Sequence, residues 1–369
     1  MSKALARGGL IGRLKGAGRP SDAELQTDED FLYGVNLGGW LVLERWMTPS
    51  LFAGTDAEDE YTFMQTPGAV AKLRGYQKNF IREEDWQWMR DNGVNAVRIP
   101  IGYWIFEGEG PYKSCIGRLD WAVRMAEKYD IKVLICLHGA PGSQNGYEHS
   151  GKKGKTDWHA EQAYRRKTIE CLQRLASRYH GQDAAWGIEL LNEPKRGLLQ
   201  PVLRKFYADA YEAVRAAASP GLKIVFHDAF SPRYMSGVLR PYRRNPVVMD
   251  HHWYHFFIAR PLQAYVPFGL YYWYLRHVKG SMLRSLSRAQ PIVIGEWNGI
   301  IGGEKLNNYP KEQHNEIVAE HLRVQLEVYQ ATTAGWFYWS YKTDDRGVFH
   351  FRSLVEDGVI TLPSTKQRR

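Results

Sequence analysis

The sequence predicts a single-domain (β/α)₈ barrel with enlarged loops after its strands, and three observations carry that expectation. Eight short runs rich in Val, Ile and Leu recur at 31–37, 95–101, 132–138, 187–193, 223–228, 247–253, 291–297 and 334–340. Segments with helical spacing lie between them. Polar and aromatic residues gather at the C-terminal ends of the runs, the end at which barrels of this kind place their active sites. At 369 residues and 44% hydrophobic content the chain can bury one full core. It carries no internal repeat and no low-complexity linker that would mark a second domain.

Taken in order, residues 1–30 are glycine-rich and basic, then acidic, and read as a loosely ordered leader to a barrel domain spanning 31–369. The first run ends in Gly34 to Trp40, G-V-N-L-G-G-W, where the glycine pair allows a tight turn that brings Trp40 and Glu44 to the rim. The second, N-A-V-R-I-P-I-G-Y, places Arg98 near its end. A buried arginine needs a carboxylate; Glu296 is the expected partner and Glu189 the structural alternative. Leu119, Ala122, Val123, Ala126 and Tyr129 then share one helical face. The third run leads into L-H-G-A-P-G-S-Q-N-G and offers His138. Ile169, Leu172, Ala176 and Tyr179 form the next helical face, stopped by Gly181.

The fourth run, G-I-E-L-L-N-E-P, delivers Asn192 and Glu193 to the rim, with Glu189 deeper as scaffold. The fifth ends at Asp228, and the sixth leads through D-H-H-W-Y-H-F-F, Asp250 to Phe257. Its three histidines invite a metal, but His251 and His252 point to opposite sides of a strand, so hydrogen bonding to a sugar is the better use. The seventh run, P-I-V-I-G-E-W, ends in Glu296 on the same rim as Glu193. Ile317, His321, Val324 and Val328 supply the last helical face, and the eighth run ends at Trp339. Two carboxyl groups across a cleft are what glycoside hydrolysis needs, one to protonate the leaving oxygen and one to attack or to activate water. Rings at the rim, Tyr147, Phe230, Phe257 and Trp339 among them, suit the apolar faces of pyranoses.

Other classes are disfavoured. The net charge of +9 is spread over short runs such as Arg165-Arg166-Lys167 and Arg243-Arg244, with no nucleic-acid motif. No CxxC, HExxH or G-x-S-x-G appears. Gly146 to Lys152 only superficially fits a phosphate loop, because no Ser or Thr follows the lysine. Neither a metal nor an organic cofactor is expected. Three cysteines, Cys115, Cys136 and Cys171, do not make a disulfide framework, and the N-terminus has no signal-peptide core. A cytoplasmic location is the simpler expectation, with an extracellular one as the alternative. Residues 261–275 are the most apolar stretch but hold two prolines between Arg260 and Arg276, so no membrane span is expected and peripheral contact is the residual membrane reading.

Together, G-V-N-L-G-G-W-L-V-L-E, V-R-I-P-I-G-Y-W, L-H-G-A-P-G-S-Q-N-G, G-I-E-L-L-N-E-P, H-D-A-F, D-H-H-x-Y, G-E-W and G-W-F-Y-W-S-Y-K-T resemble the exo-β-1,3-glucanases of glycoside hydrolase family 5, over about Phe31 to Ile360. The resemblance implies a retaining mechanism with Glu193 as acid/base and Glu296 as nucleophile. It also implies that Arg98 and Tyr254 hold the nucleophile, and that Glu44, His138, Asn192, His252 and Trp339 line the subsite for a terminal glucose. Arg98 beside Glu296 is expected to lower that group's pKa and leave the proton on Glu193. The expected partner is a β-glucan oligosaccharide or polysaccharide, met by a monomer. The nearest alternatives are a transglycosylase using the same intermediate and a glucan-binding barrel without catalysis. Two departures stand out: Tyr147, Glu148 and His149 replace the Phe-Asp-Asn of fungal members, and the stretch from Phe257 to Gln290 lacks their cysteines.

Overall fold

The structure, a computed structural model, describes residues 31–196, 200–239, 247–255 and 266–363. The leader expected at 1–30 and the candidate Phe257 lie outside the described residues. Eight parallel strands close into a barrel in chain order. They are β1 (Leu32–Asn36), β2 (Ala96–Gly102), β3 (Lys132–Gly139), β4 (Ala185–Glu189), β5 (Lys223–His227), β6 (Val247–His252), β7 (Ile292–Trp297) and β8 (Gly335–Tyr338). The expected (β/α)₈ fold is therefore the fold observed.

The helical faces read from spacing are the faces that pack. The helix Ile116–Tyr129 buries Leu119, Ala122, Val123 and Ala126, and Gln162–Arg178 buries Leu172 and Ala176. His314–Thr332 buries His321, Val324 and Val328. Within the apolar stretch noted above, Phe268–Tyr274 continues through a π-helical turn, Leu275–Lys279, into Gly280–Ser287. Tyr272 and Leu275 pack on Val324, while Leu270 and Trp273 face outward. Among the described residues no helix is long and apolar enough to cross a membrane.

Side chains that point into the barrel do so at every second position. At the bottom, Leu32, Ala96, Leu134, Val225, Val248, Val293 and Phe337 close the interior as an apolar plug. Two residues further along, the same strands present Arg98, Cys136, His227 and Asp250, all fully buried. A further step on β3 and β6 gives His138 and His252. On β2, β5 and β6 the interior thus changes from apolar to polar in one side-chain repeat.

Two local departures from this rule matter. β4 was expected to run to residue 193, but its ladder ends at Glu189. Glu193 has a left-handed backbone, φ 39°, which no strand residue adopts. The segment stays stitched to its neighbours by Leu190 N–H to the Val225 carbonyl and Asn192 N–H to the Leu137 carbonyl, both 2.9 Å. On β7, Asp250 pairs with Val293 and His252 with Glu296, so one residue more is used on β7 than on β6. The β8 side shows the same excess, with Ile294 opposite Trp336 and Trp297 opposite Tyr338. This is a β-bulge. It turns Glu296 inward beside Gly295, where strict alternation would have sent it out with Ile292 and Ile294. Asp250 secures it by accepting the Gly295 N–H at 2.7 Å. A Cβ at Gly295 would stand 2.1 Å from the Asp250 carboxylate, so only glycine fits there.

Candidate active site

Arg98 is the hub. Its Nε and Nη2 donate to the two oxygens of Glu189 at 2.7 and 3.1 Å, and its Nη1 donates to Glu296 Oε1 at 2.8 Å. Both carboxylates weighed from the sequence are its partners. Nη1 also reaches Asn36 Oδ1 at 2.9 Å, and Nη2 reaches Asn192 Oδ1 at 2.7 Å. A planar guanidinium can satisfy this many acceptors because its donors are fixed in a fork.

Glu296 is held on its other oxygen by the Tyr254 hydroxyl at 2.8 Å. Glu193 faces it across His252. The imidazole Nδ1 lies 2.7 Å from Glu193 Oε1 and 3.5 Å from Glu296 Oε2, and Nε2 lies 3.1 Å from Asp250 Oδ2. The backbone carbonyl of Glu193 accepts from Asn145 Nδ2 at 3.1 Å, which holds its left-handed turn in place.

A cavity of about 1020 Å³ opens over this cluster. Glu44, His138, Glu193, Tyr254, Glu296 and Trp339 line it, with Tyr147 and Phe230 at its mouth. The two mouth rings are 59% and 40% exposed, so they are free to meet a ligand. The His138 and Trp339 rings stack at 5.7 Å with 6° between planes. The close approach of Trp339 needs Gly38, where a Cβ would lie 2.9 Å from the indole. Glu44 Oε2 accepts from Trp46 Nε1 at 3.0 Å, while its buried Oε1 has no protein partner. Burial, then the nearby Glu296 charge, push the Glu44 carboxyl well above the usual carboxylate range.

Asn192 and His252, which the resemblance assigns to the glucose subsite, are not among the residues lining the cavity. They lie just beneath it, because Arg98 claims the Asn192 amide oxygen and three carboxylates surround the His252 ring. The two carboxyl groups shift in the directions opposite to those expected from Arg98 alone. Burial pushes Glu296 up to about 7, against the pull of His252 and Arg98. Burial also works against an ionised Glu193, yet the hydrogen bond and charge of His252 outweigh it and bring that group down to about 2. His252 itself is disfavoured as a cation by burial, but Glu296, Asp250 and Glu193 raise it well above the ordinary histidine value. At rest the proton of this pair therefore sits on His252.

Among the described residues, Glu193, His227 and His252 form one group whose ligand atoms lie within 4.8 Å of one another, and Glu189, Asp250 and His252 form another. Both depend on His252, whose two nitrogens are already engaged by carboxylates, and Arg98 supplies the compensating charge. His251 turns the other way, to Asp228 Oδ2 at 2.5 Å. Sequence reasoning missed Asp250 as the bulge-fixing residue, together with Trp46, Lys195 and Phe349 on the cavity wall. Alternation along β6 could have found Asp250; nothing in the local sequence marks Phe349.

A family model described as cellulase (glycosyl hydrolase family 5) matches residues 57–345. A probable glucan 1,3-beta-glucosidase A of Aspergillus fumigatus is 33% identical, over 91% of this chain and 88% of its own length. A glucan 1,3-beta-glucosidase of Blumeria graminis is also 33% identical, over 89% and 86%. Among solved structures, a rutinosidase from Aspergillus niger superposes with a TM-score of 0.74 at 19% identity, covering 89% of this chain and 97% of the other, a likeness of fold. By the family match and by these relatives, the chain is a glycoside hydrolase belonging to glycosyl hydrolase family 5.

Proposed function

We propose that this enzyme is a retaining exo-glucanase that removes glucose from the non-reducing end of β-1,3-glucans, with Glu296 as nucleophile and Glu193 as acid and base. The observation that carries the reading is the pair of carboxylates in one cavity with unlike partners. Glu296 is aimed by Arg98 and Tyr254, and Glu193 is paired with a proton donor, His252. Because His252 Nδ1 lies 2.7 Å from one carboxylate oxygen and 3.5 Å from the other, those two oxygens are separated by no more than the sum of these distances. That close approach is in keeping with the shorter spacing of a retaining pair. The names of the relatives supply the linkage and the substrate.

The steps follow from these positions. A glucan end enters, with the Trp339–His138 stack against the terminal ring and the unclaimed Glu44 oxygen accepting from its hydroxyls. His252 passes its proton across the 2.7 Å hydrogen bond to Glu193 as the glycosidic oxygen arrives. Glu296, once ionised and aimed by Arg98 and Tyr254, attacks the anomeric carbon while Glu193 protonates the departing sugar. Glu193, now a carboxylate, takes a proton from water, which displaces Glu296 and releases glucose with its β configuration kept, and the proton returns across the same hydrogen bond to His252. The low-dielectric floor strengthens each of these contacts.

The test is a time course on laminarioligosaccharides with the released anomer followed by NMR, beside Glu193→Gln. Stepwise β-glucose, lost in the variant, supports the reading. Products longer than the substrate would move it to transglycosylation, first-formed α-glucose would overturn retention, and binding without turnover would indicate a glucan-binding barrel.

A further inference from the structure

Besides His252, which enters the mechanism above, and His227, whose imidazole lies within 4.8 Å of it, Glu193 has a third imidazole neighbour. It is His149, in the Tyr147-Glu148-His149 segment that departs from the fungal pattern. Its Nε2 lies 3.6 Å from Glu193 Oε2, the oxygen that His252 leaves free. The ring is clamped between Tyr147, at 5.5 Å and 21°, and His138, at 5.2 Å. Its Nδ1 is buried and has no hydrogen-bond partner.

We propose that His149 is a positioning residue for the acid/base carboxyl group: it meets Glu193 Oε2 opposite His252 and so fixes the group at both oxygens. This rests on the reading of Glu193 as acid and base. The 3.6 Å separation is longer than a hydrogen bond, and contacts of this kind commonly tighten when substrate arrives. The unclaimed Nδ1 gives the arrangement its use. No other group dictates the tautomer, so Nε2 can offer an N–H to the carboxylate or a lone pair to the carboxylic acid. Glu193 must be both in one turnover.

The groups that face His149 set the direction of its effect. Burial keeps its proton affinity below the ordinary value, against the Glu193 and Glu148 charges, while His252 and Arg98 add to the lowering. A neutral imidazole that donates to a carboxylate forms a charge-assisted bond, roughly twice as strong as its neutral counterpart. The net pull of His149 is therefore toward ionised Glu193. Removing it raises the proton affinity of the acid.

The experiment compares pH profiles of kcat/KM for wild type, His149→Phe and His149→Asn on two substrates. Laminaribiose needs acid assistance to leave, and 2,4-dinitrophenyl β-glucoside does not. For laminaribiose, the alkaline limb is expected to move up by about one pH unit in His149→Phe, and by less in His149→Asn, whose amide can still donate. The plateau on the dinitrophenyl glucoside should stay within about twofold. An unmoved limb, or equal losses on both substrates at every pH, overturns the proposal and leaves His149 a packing residue. If His149→Phe does not fold, an unmoved limb in His149→Ala overturns it equally. Full laminaribiose activity in Glu193→Gln would instead sink the acid/base reading beneath it.

Discussion

The two levels of the barrel interior are built on the same strands and obey opposite rules. The lower one, Leu134, Val225, Val248, Val293 and Phe337 among others, is dry and held by dispersion and burial. The upper one packs Arg98, Glu189, Asp250 and His252 into equal confinement, with no solvent exposure of the Arg98 or Glu189 side chains. Ions survive there only because each finds its counter-charge and its hydrogen bonds at fixed distances. A barrel floor can thus be firm in two ways. The apolar one tolerates approximate filling, whereas the ionic one must be complete, and that completeness leaves Glu296 and Glu193 aimed rather than merely buried.

Breaking the upper level should cost most. Arg98→Met leaves Glu189 without its bidentate cation and Glu296 with His252 alone, and we expect a stability loss of about 3–5 kcal/mol. kcat should fall by roughly 100-fold or more, since Glu296 loses its aim. Urea unfolding and steady-state kinetics on the same sample check both numbers; a stable, active variant would mean the cluster does not depend on its hub. Leu134→Ala, one level down on β3, should cost about 2–5 kcal/mol in stability and leave kcat nearly untouched, because it opens a cavity without moving a charge. If it cuts kcat as deeply as Arg98→Met, the two levels are not separable.

Tyr254→Phe sharpens the contrast with a smaller change. Its hydroxyl lowers the Glu296 pKa, which burial has raised to about 7. kcat/KM should rise with pH through that region as Glu296 loses its proton, then fall at higher pH as the His252–Glu193 pair gives up its own. Loss of the hydroxyl raises Glu296 further, so the acid limb should move upward by about one pH unit or more, with the alkaline limb nearly fixed. A shift to lower pH would contradict the assignment of Tyr254 as a donor to the nucleophile.

Much of this is legible in the sequence. Strand positions, the helical faces of Ile116–Tyr129 and His314–Thr332, and the meeting of Glu193, Glu296, Arg98 and Tyr254 follow from periodicity, from the chemistry of paired carboxylates and from family likeness. The bulge at Gly295 was not, because an extra residue in a ladder shows only when two strands are paired; without it, alternation sends Glu296 outward. The turn at Glu193 was hidden for a related reason, since its left-handed backbone is imposed by Asn145 and the neighbouring strands rather than by its own sequence. The resting proton order escaped because it depends on how three carboxylates and Arg98 share one histidine, a balance no single spacing encodes.

The central claim, that the upper level aims Glu296 for attack, is tested most directly by trapping. Wild-type enzyme incubated with an activated 2-deoxy-2-fluoro-β-glucoside should lose activity with time and gain one fluoroglucosyl group. Peptide mapping by mass spectrometry should place that group on Glu296. A label on Glu193 or elsewhere, or no covalent adduct while hydrolysis of β-glucosides proceeds, would contradict the account.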